Sequence, residues 1–297
     1  MPKAPSRLSA ILQAVFVTFL WSTSWVLIKI GLRSDLPALT FAGLRYFAAF
    51  LCLIPFVMGN ASERAIMKNL SRADWRRLAI LGLFYYTLTQ GAVFVSLAYL
   101  PAVVVNLMLN LTAIPIAVAG IFYLREIPST LQWVGATLAV IGVGAYFLPM
   151  NFSQVQLLGL IATLVCVLAN AVAVLLGREV NREGRLSPLT VTFISMGIGA
   201  TLMLVIGLIT QRVGALTWQE WGIIAWLAVV NTAFAFTIWN HTLRTLSAVE
   251  SSILNSLMMP QIAILAFLFL DETLTAKEIV GLILVGVGVL VVQLQKR

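Results

Sequence analysis

The sequence contains few charged residues for its length. Of its 297 residues, 10% are charged and 61% are hydrophobic, whereas a soluble globular domain has about 25% charged and about 45–50% apolar residues. No water-soluble fold of this size could hide so much apolar side chain. The composition therefore excludes a soluble enzyme, a disordered chain and a nucleic-acid binder, even though the formal net charge is +8.

Cysteine and histidine are also scarce. Cys52 and Cys166 both lie in apolar runs, so we expect two buried small side chains rather than a disulfide framework. No His, Cys and carboxylate residues have metal-ligand spacing, no glycine-rich loop has the phosphate-binding pattern, and no nucleophile–base pair stands out. The sequence thus predicts no metal site, no cofactor and no enzymatic activity.

Long apolar runs fill most of the chain. Each run is expected to be a helix, because a backbone in lipid must satisfy its own hydrogen bonds, and about 20 residues suffice to cross a bilayer. The first run is too long for a signal peptide and is interpreted as a retained crossing. The sequence predicts an all-α integral membrane protein with ten transmembrane helices, at residues 8–30, 36–58, 76–98, 101–123, 130–149, 156–177, 188–210, 219–242, 247–270 and 277–295.

Basic residues indicate the orientation of these helices. With the N-terminus in the cytoplasm, 14 Lys and Arg residues fall on the inner side and 4 on the outer side, while Arg45 lies within the second run. Cytoplasmic connections of membrane proteins carry such an excess of Lys and Arg. We therefore expect an even number of crossings and both termini in the cytoplasm.

The sequence also repeats at a shift of 146 residues. Each copy would hold five crossings, so the two copies would face opposite ways, as in the inverted repeats of secondary transporters. The predicted halves are residues 1–149, with helices one to five, and residues 150–297, with helices six to ten, and the solute site is expected near the midplane between them. The informative aligned pairs are Trp75 with Trp221, Glu126 with Glu272, Gly135 with Gly281, and Gly142 with Gly288.

The aligned glycines lie seven residues apart within helices five and ten. Seven residues are about two helical turns, so each pair forms a stripe of small residues on one face. Such stripes allow close helix packing in lipid. We favour packing over a ligand role, and packing within one chain and packing between protomers both stay open.

Stretches that contain the two aligned glutamates carry a family resemblance. Leu124–Gly135 and Leu270–Gly281 resemble the end of the EamA repeat, and the opening Trp21-Ser-Thr-Ser-Trp25 resembles its start. The chain thus resembles the EamA family of the drug/metabolite transporter superfamily. The resemblance implies a ten-helix exporter of small metabolites, often amino acids, in the bacterial inner membrane. A narrower similarity is to aromatic amino-acid exporters of the YddG type.

Polar and aromatic residues within the runs are the candidates for solute binding. Polar side chains are costly inside a membrane and usually face a bundle interior or a cavity. For any single residue, hydrogen bonding between helices is the alternative, but helices three and four carry polar faces, as do their counterparts eight and nine. The candidate substrate-binding residues are Trp21, Ser22, Trp25, Tyr85, Tyr86, Gln90, Asn106, Asn110, Asn170, Asn231, Trp239, Ser251 and Asn255.

Three ionisable residues in or beside the runs have two possible roles each. Arg45 would form a structural ion pair, with Asp271 or Glu272, or would sense a carboxylate. Glu250 would favour the dipole at the start of helix nine or couple transport to protons. His241 would be a solvated residue at the end of helix eight or a proton relay.

The predicted function is secondary transport. The protein would export small metabolites, foremost amino acids with aromatic or large apolar side chains, by alternating access through a central cavity in the cell inner membrane. Its partners would be a small-molecule solute, the lipid bilayer and, as a candidate coupling ion, the proton, with the chain a monomer or a homodimer. The alternatives are a transporter of drugs, nucleotide sugars or sugar phosphates, a membrane-embedded enzyme, and a lipid translocator.

Overall fold

Helices account for all regular secondary structure in the part of the chain that the structure describes, and no strand occurs there. The prediction of an all-α protein is therefore confirmed for this part. The structure is a computed structural model, and it describes residues 6–34, 36–123, 129–147, 153–182, 185–242, 245–246 and 248–293.

Most of the predicted runs appear as α-helices, some of them interrupted. The predicted run 188–210 coincides with one helix, whereas the runs 76–98, 101–123, 219–242 and 247–270 each comprise more than one segment. The α-helices are α1 (Arg7–Arg33), α2 (Ala38–Met58), α3 (Ala61–Lys68), α4 (Arg72–Gly82), α5 (Gly91–Tyr99), α6 (Ala102–Leu109), α7 (Ala113–Tyr123), α8 (Thr130–Phe147), α9 (Gln154–Arg182), α10 (Pro188–Thr210), α11 (Trp218–Ala228), α12 (Ala235–Thr242), α13 (Ala248–Ser256), α14 (Met258–Leu270) and α15 (Ala276–Gln293).

Seven helices in the described residues are long and apolar enough to cross a membrane, by length and composition. Two shorter apolar helices, Ala102–Ile116 and Trp133–Phe147, fall on the predicted fourth and fifth runs. These helices agree with a multi-pass membrane protein. The count of ten crossings and the cytoplasmic placement of both termini stay predictions. The seven long helices are Arg7–Arg33, Ala38–Met58, Arg72–Tyr99, Gln154–Val180, Pro188–Thr210, Trp218–Trp239 and Ile253–Leu270.

Capping boxes occur at the start of several helices, among them α4 and α11. At α4, the backbone N–H of Asp74 donates to Ser71 Oγ at 3.1 Å, and the N–H of Ser71 donates to Asp74 Oδ2 at 3.0 Å. At α11, Thr217 and Glu220 make the same reciprocal pair. Each box satisfies backbone donors that a helix start leaves without partners. The two boxes lie 146 residues apart, in the register of the sequence repeat.

The short helix α3 was not predicted from the sequence, because it is polar and too short to give a transmembrane signal. Its Glu63 is buried and accepts hydrogen bonds from Ser187 Oγ at 2.5 Å and from Thr190 Oγ1 at 2.6 Å. Ser187 and Thr190 lie at the N-terminus of α10, where a carboxylate also interacts favourably with the helix dipole. The contact therefore attaches α3 to the start of α10.

The chain forms two compact units, which we call the first and the second unit. The first unit comprises the described residues within 1–30, 100–157 and 234–297. The second unit comprises those within 31–99 and 158–233. Each unit thus draws on both of the predicted sequence halves, 1–149 and 150–297. The division into two inverted repeats stays a prediction.

In the first unit, α8 and α15 pack closely along the predicted glycine stripes. A Cβ added to Gly288 would lie 2.5 Å from the carbonyl oxygen of Gly135, and one added to Gly142 would lie 2.7 Å from the backbone nitrogen of Val285. Real Cβ atoms do not come this close to backbone atoms. The structure therefore shows the packing role for these glycines, within one chain.

In the second unit, α2 and α10 approach each other in a similar way. A Cβ on Gly43 would lie 2.5 Å from Leu204 Cα, and one on Gly207 would lie 2.7 Å from the backbone nitrogen of Thr40. Thr40 also donates its backbone N–H to Gln211 Oε1 at 3.0 Å. These contacts hold α2 against α10.

Candidate functional site

Two of the apolar helices contain a π-helical segment. The first segment, Leu83–Gln90, joins α4 to α5, and the second, Val229–Phe234, joins α11 to α12. They begin 146 residues apart, again in the register of the repeat. Such π-helical turns are rare in proteins. Those that occur inside α-helices often lie at functional sites. Four candidate residues lie in these segments: Tyr85, Tyr86, Gln90 and Asn231.

Two other apolar stretches are interrupted near candidate residues. A 3₁₀ turn at Asn110–Thr112 separates α6 from α7, and a turn at Leu257 separates α13 from α14. Irregular backbone at membrane depth is tolerated where protein buries it or where it lines a cavity. Asn106 is half-buried near the first break, Asn110 Nδ2 donates back to the Asn106 carbonyl oxygen at 2.8 Å, and Asn255 is exposed near the second break.

A cluster of tyrosines adjoins Gln90 in the second unit. The hydroxyl of Tyr46 donates to Gln90 Oε1 at 2.7 Å. The rings of Tyr46 and Tyr86 lie 5.7 Å apart, and those of Tyr86 and Tyr85 lie 5.0 Å apart in an edge-on arrangement. The sequence interpretation missed Tyr46, although a hydroxyl within the apolar run 36–58 was a usable signal.

Aromatic residues also form a cluster in the first unit. The ring of Trp21 lies 5.1 Å from that of Trp239 and 5.2 Å from that of Phe236. The indole nitrogen Nε1 of Trp21 is buried and has no hydrogen-bond partner. Buried polar groups are normally paired, so this unsatisfied donor marks a place where a ligand could bind.

Ser22, next to Trp21, belongs to a polar contact between α1 and α14. Its buried hydroxyl donates to the Thr18 carbonyl oxygen at 2.8 Å and lies 3.0 Å from Gln261 Oε1. Gln261 Nε2 in turn lies 3.4 Å from Thr18 Oγ1. Sequence reasoning missed Gln261, although an amide inside the run 247–270 could have indicated it. The two contacts with Gln261 are hydrogen bonds between helices, the alternative considered for each polar residue.

The remaining candidates are distributed over both units. Trp25 and Ser251 belong to the first unit, and Asn170 and Asn231 belong to the second. Trp25 and Asn170 are half-buried, while Asn231 and Ser251 are buried. The Ser251 hydroxyl, like the Trp21 indole nitrogen, has no hydrogen-bond partner. Contacts join Tyr85 with Tyr86, Trp21 with Trp239, and Asn106 with Asn110.

The ionisable residues near helix ends have polar partners. Glu250, in the first turn of α13, forms an ion pair with Arg7 at 2.7 Å. His241 Nδ1 lies 3.2 Å from Gln13 Oε1. The ion pair with Arg7 is a third role for Glu250, beside the two considered from the sequence.

Glu272 has a structural role at the start of α6. Its carboxylate accepts the backbone N–H of Ala102 at 2.8 Å and that of Val103 at 3.4 Å. A carboxylate at a helix N-terminus satisfies free backbone donors and interacts favourably with the dipole. Its counterpart in the repeat, Glu126, lies outside the described residues.

The site thus offers hydrogen-bond donors, acceptors and aromatic rings. Among the residues that the structure describes, no group of three or more His, Cys, Asp or Glu could hold a metal ion. Amides and hydroxyls bind polar groups reversibly, and aromatic faces attract apolar groups and cations. This chemistry suits the reversible binding of a small amphiphilic molecule.

Comparison with known proteins identifies the family. The EamA-like transporter family matches the chain over residues 8–148 and again over residues 157–294. The chain belongs to the EamA-like transporter family. Together with its apolar helices, this membership points to a multi-pass membrane transporter rather than to an enzyme.

Several relatives of similar length are known. The uncharacterized transporter YoaV of Bacillus subtilis (strain 168) is 25% identical over 285 residues, which cover 94% of each chain. The protein PecM of Dickeya dadantii (strain 3937) is 25% identical over 286 residues, which cover 94% of this chain and 91% of PecM. One solved crystal structure aligns with a TM-score of 0.67 at 17% identity, over 97% of this chain and 98% of that chain. At this identity the structural likeness shows the fold alone.

Proposed function

We propose that the protein is a secondary transporter that exports small metabolites by alternating access through a central cavity. Its solutes are amino acids with aromatic or large apolar side chains, as for the aromatic amino-acid exporters that its opening motif resembles. We place the protein in the inner membrane of the cell. Among the candidate residues, those on the π-helical segments, Tyr85, Tyr86, Gln90 and Asn231, contact the solute.

The buried, unpaired donors carry this proposal. Trp21 Nε1 and Ser251 Oγ are both buried without a partner, although leaving a buried donor unpaired costs about 1–3 kcal/mol. A protein would keep such groups where a bound solute supplies the missing acceptor. The ring of Trp21, which lies in tilted contact with the rings of Trp239 and Phe236, would then contact the apolar part of the same solute.

Features that recur at a shift of 146 residues support the inverted repeat. The capping boxes of α4 and α11 and the starts of the two π-helical segments share this register. In transporters built from inverted repeats, discontinuous helices in both halves provide the solute site. Interruptions in corresponding helices are therefore expected for a transporter and have no evident purpose in a protein that only packs in lipid.

We also propose that a proton gradient drives export, with Glu250 as the group that exchanges the proton. Its ion pair with Arg7 would break when the carboxylate is protonated, because only the charged form attracts the guanidinium. The Glu250→Gln variant in proteoliposomes tests this step. Export that stays coupled to a pH gradient in this variant would assign coupling to another group.

The transport proposal is tested with purified protein in proteoliposomes. We expect uptake of radiolabelled phenylalanine, tryptophan or leucine above that of protein-free vesicles. Trp21→Phe keeps an aromatic ring but removes the indole donor, so we expect KM to rise about tenfold, the loss of about one hydrogen bond to a bound solute. Trp226→Phe, at an exposed tryptophan of α11, is the matched control and should behave like the unmodified protein.

Two results would contradict the proposal. Absence of flux for every amino acid, with and without a pH gradient, would remove amino acids as solutes, and a panel of nucleotide sugars and sugar phosphates would follow. Movement of fluorescent lipids between leaflets, without flux of any soluble compound, would instead indicate a lipid translocator.

A further inference from the structure

Arg45 is a buried cation within an apolar helix. It lies seven residues after the first residue of α2, about 10 Å along the helix axis at 1.5 Å per residue, and only 6% of it is exposed. By its length and its mean hydropathy, the whole of α2 could cross a membrane. A charge at such a place is costly and is a mark of function in membrane proteins.

The surroundings of Arg45 compensate this charge only in part. Its guanidinium carbon lies 4.9 Å from the ring centre of Tyr46 and 5.9 Å from that of Phe94. Its Nε is buried without a hydrogen-bond partner. Among the residues that the structure describes, no carboxylate forms an ion pair with Arg45. Ring faces attract a cation, but they accept none of its N–H donors in the way that an anion does.

This cation adjoins the tyrosine cluster of the candidate site. Tyr46, whose ring contacts the guanidinium, donates its hydroxyl to Gln90. The Tyr46 ring also packs against that of Tyr86, which packs against Tyr85. A cation that pairs with none of the described carboxylates therefore lies beside the ring of Tyr46, which contacts the Gln90 amide, all within the second unit.

We propose that Arg45 binds the carboxylate of the transported solute. The planar guanidinium presents donors in a fork that matches the two oxygens of a carboxylate, and the neighbouring rings suit an apolar side chain. The inference deepens the proposed function, on which it rests, because it makes a carboxylate a requirement for recognition. It also assigns Arg45 to the binding site instead of to a structural ion pair.

Four probes separate the chemical groups that Arg45 would recognise. L-phenylalanine has an amine and a carboxylate, 3-phenylpropionate has the carboxylate only, L-phenylalaninamide lacks the carboxylate, and phenyl phosphate offers a phosphate instead. Binding of each to the purified full chain is measured by calorimetry, and flux of each is measured in proteoliposomes. The variants are Arg45→Gln and Arg45→Lys, with Arg212→Gln, at an exposed loop position, as the matched control.

We expect both carboxylates to bind the unmodified protein at least tenfold more tightly than the amide. Arg45→Gln should reduce this preference to less than twofold and leave binding of the amide unchanged. Arg45→Lys, which keeps the charge but not the fork, should retain part of the preference. Arg212→Gln should retain all of it. Tighter binding of phenyl phosphate than of 3-phenylpropionate would contradict the assignment of a carboxylate and would show that Arg45 prefers a phosphate ester.

Equal binding of the acid and the amide to the unmodified protein would overturn the inference without any variant, so misfolding of Arg45→Gln does not leave it undecided. A folded Arg45→Gln protein that still prefers the acid tenfold would also overturn it, as would failure of phenylalanine, 3-phenylpropionate and phenyl phosphate all to bind. Phenylalanine flux with no acid preference defeats the inference but not the transport proposal. Anion binding that depends on Arg45, without flux, defeats the transport proposal alone.

Discussion

The hydroxyl of Tyr46 donates a hydrogen bond to Oε1 of Gln90 over 2.7 Å. Tyr46 lies on α2 and Gln90 ends the first π-helical segment, so the bond joins a regular helix to an irregular one. A tyrosine hydroxyl that is buried in protein usually has a partner of this kind. The bond orients the Gln90 amide and holds the ring of Tyr46 between Arg45 and Tyr86.

Removing this hydroxyl should destabilise the protein measurably. Tyr46→Phe leaves the Gln90 oxygen without its donor, which we expect to cost about 1 kcal/mol and to lower the midpoint of thermal unfolding in detergent by roughly 2–4 °C. Tyr99→Phe, at a tyrosine that is 41% exposed, is the control and should leave the midpoint unchanged. Equal midpoints for Tyr46→Phe and the unmodified protein would mean that the bond contributes little.

The two sides of the ion pair between Asp74 and Arg185 should differ in their contribution to stability. Asp74 also forms the capping box of α4 and its side chain is 6% exposed, whereas that of Arg185 is 57% exposed. We expect Asp74→Ala to cost about 1–2 kcal/mol, as for the loss of a helix cap. Arg185→Gln should cost about 1 kcal/mol or less, because exposed ion pairs contribute little. Thermal unfolding of both variants checks the order, and a larger loss for Arg185→Gln would reverse the assignment.

The glycines of α15 allow a matched test of helix packing. A Cβ on Gly288 would lie 2.5 Å from the Gly135 carbonyl oxygen, whereas one on Gly286 would have nothing within 4 Å. We expect Gly288→Ala to destabilise by about 1–3 kcal/mol through overpacking. Gly286→Ala should be neutral or stabilising by up to about 1 kcal/mol, since alanine favours helix more than glycine does. Similar unfolding midpoints for the two variants would show that α8 and α15 can separate without cost.

The inverted repeat predicts that Lys68 and Lys277 lie on opposite faces of the membrane. Both are exposed, and the predicted topology puts Lys68 in the cytoplasm and Lys277 outside. Single cysteines at these positions, in a chain without Cys52 and Cys166, should react differently with an impermeant thiol reagent added to intact cells. Only Lys277→Cys should be labelled. Labelling of both positions from outside would refute the predicted topology.

The sequence predicted the extent of several helices well. The run 188–210 coincides with α10, and the run 36–58 begins two residues before α2 and ends with it. An apolar run is recognised by adding the transfer free energies of its own residues. This sum does not depend on which other helices the segment packs against. The start of α4 lies earlier than the run 76–98 predicts, because the cap of Ser71 and Asp74 extends the helix into polar sequence.

Much of the candidate site required the tertiary structure. Tyr85, Tyr86 and Gln90 were chosen as polar or aromatic residues in an apolar helix, but their place on a π-helical segment was not foreseen. Tyr46 and Gln261 also lie in apolar runs and could have been chosen in the same way, but their contacts with Gln90 and Ser22 join different helices, which the sequence does not reveal. Whether these residues bind solute is a prediction that the transport and binding assays test.

The sequence by itself determined that the chain is a helical membrane protein of the EamA-like family, because hydropathy and the repeated motifs are properties of the residues in order. Only the tertiary structure decided which polar groups within the helices and at their ends are paired. Gln90, Ser22 and Glu272 have partners, whereas Trp21 Nε1 and Arg45 Nε do not. Pairing depends on distances of about 3 Å between atoms of different helices, and packing, not sequence order, sets those distances.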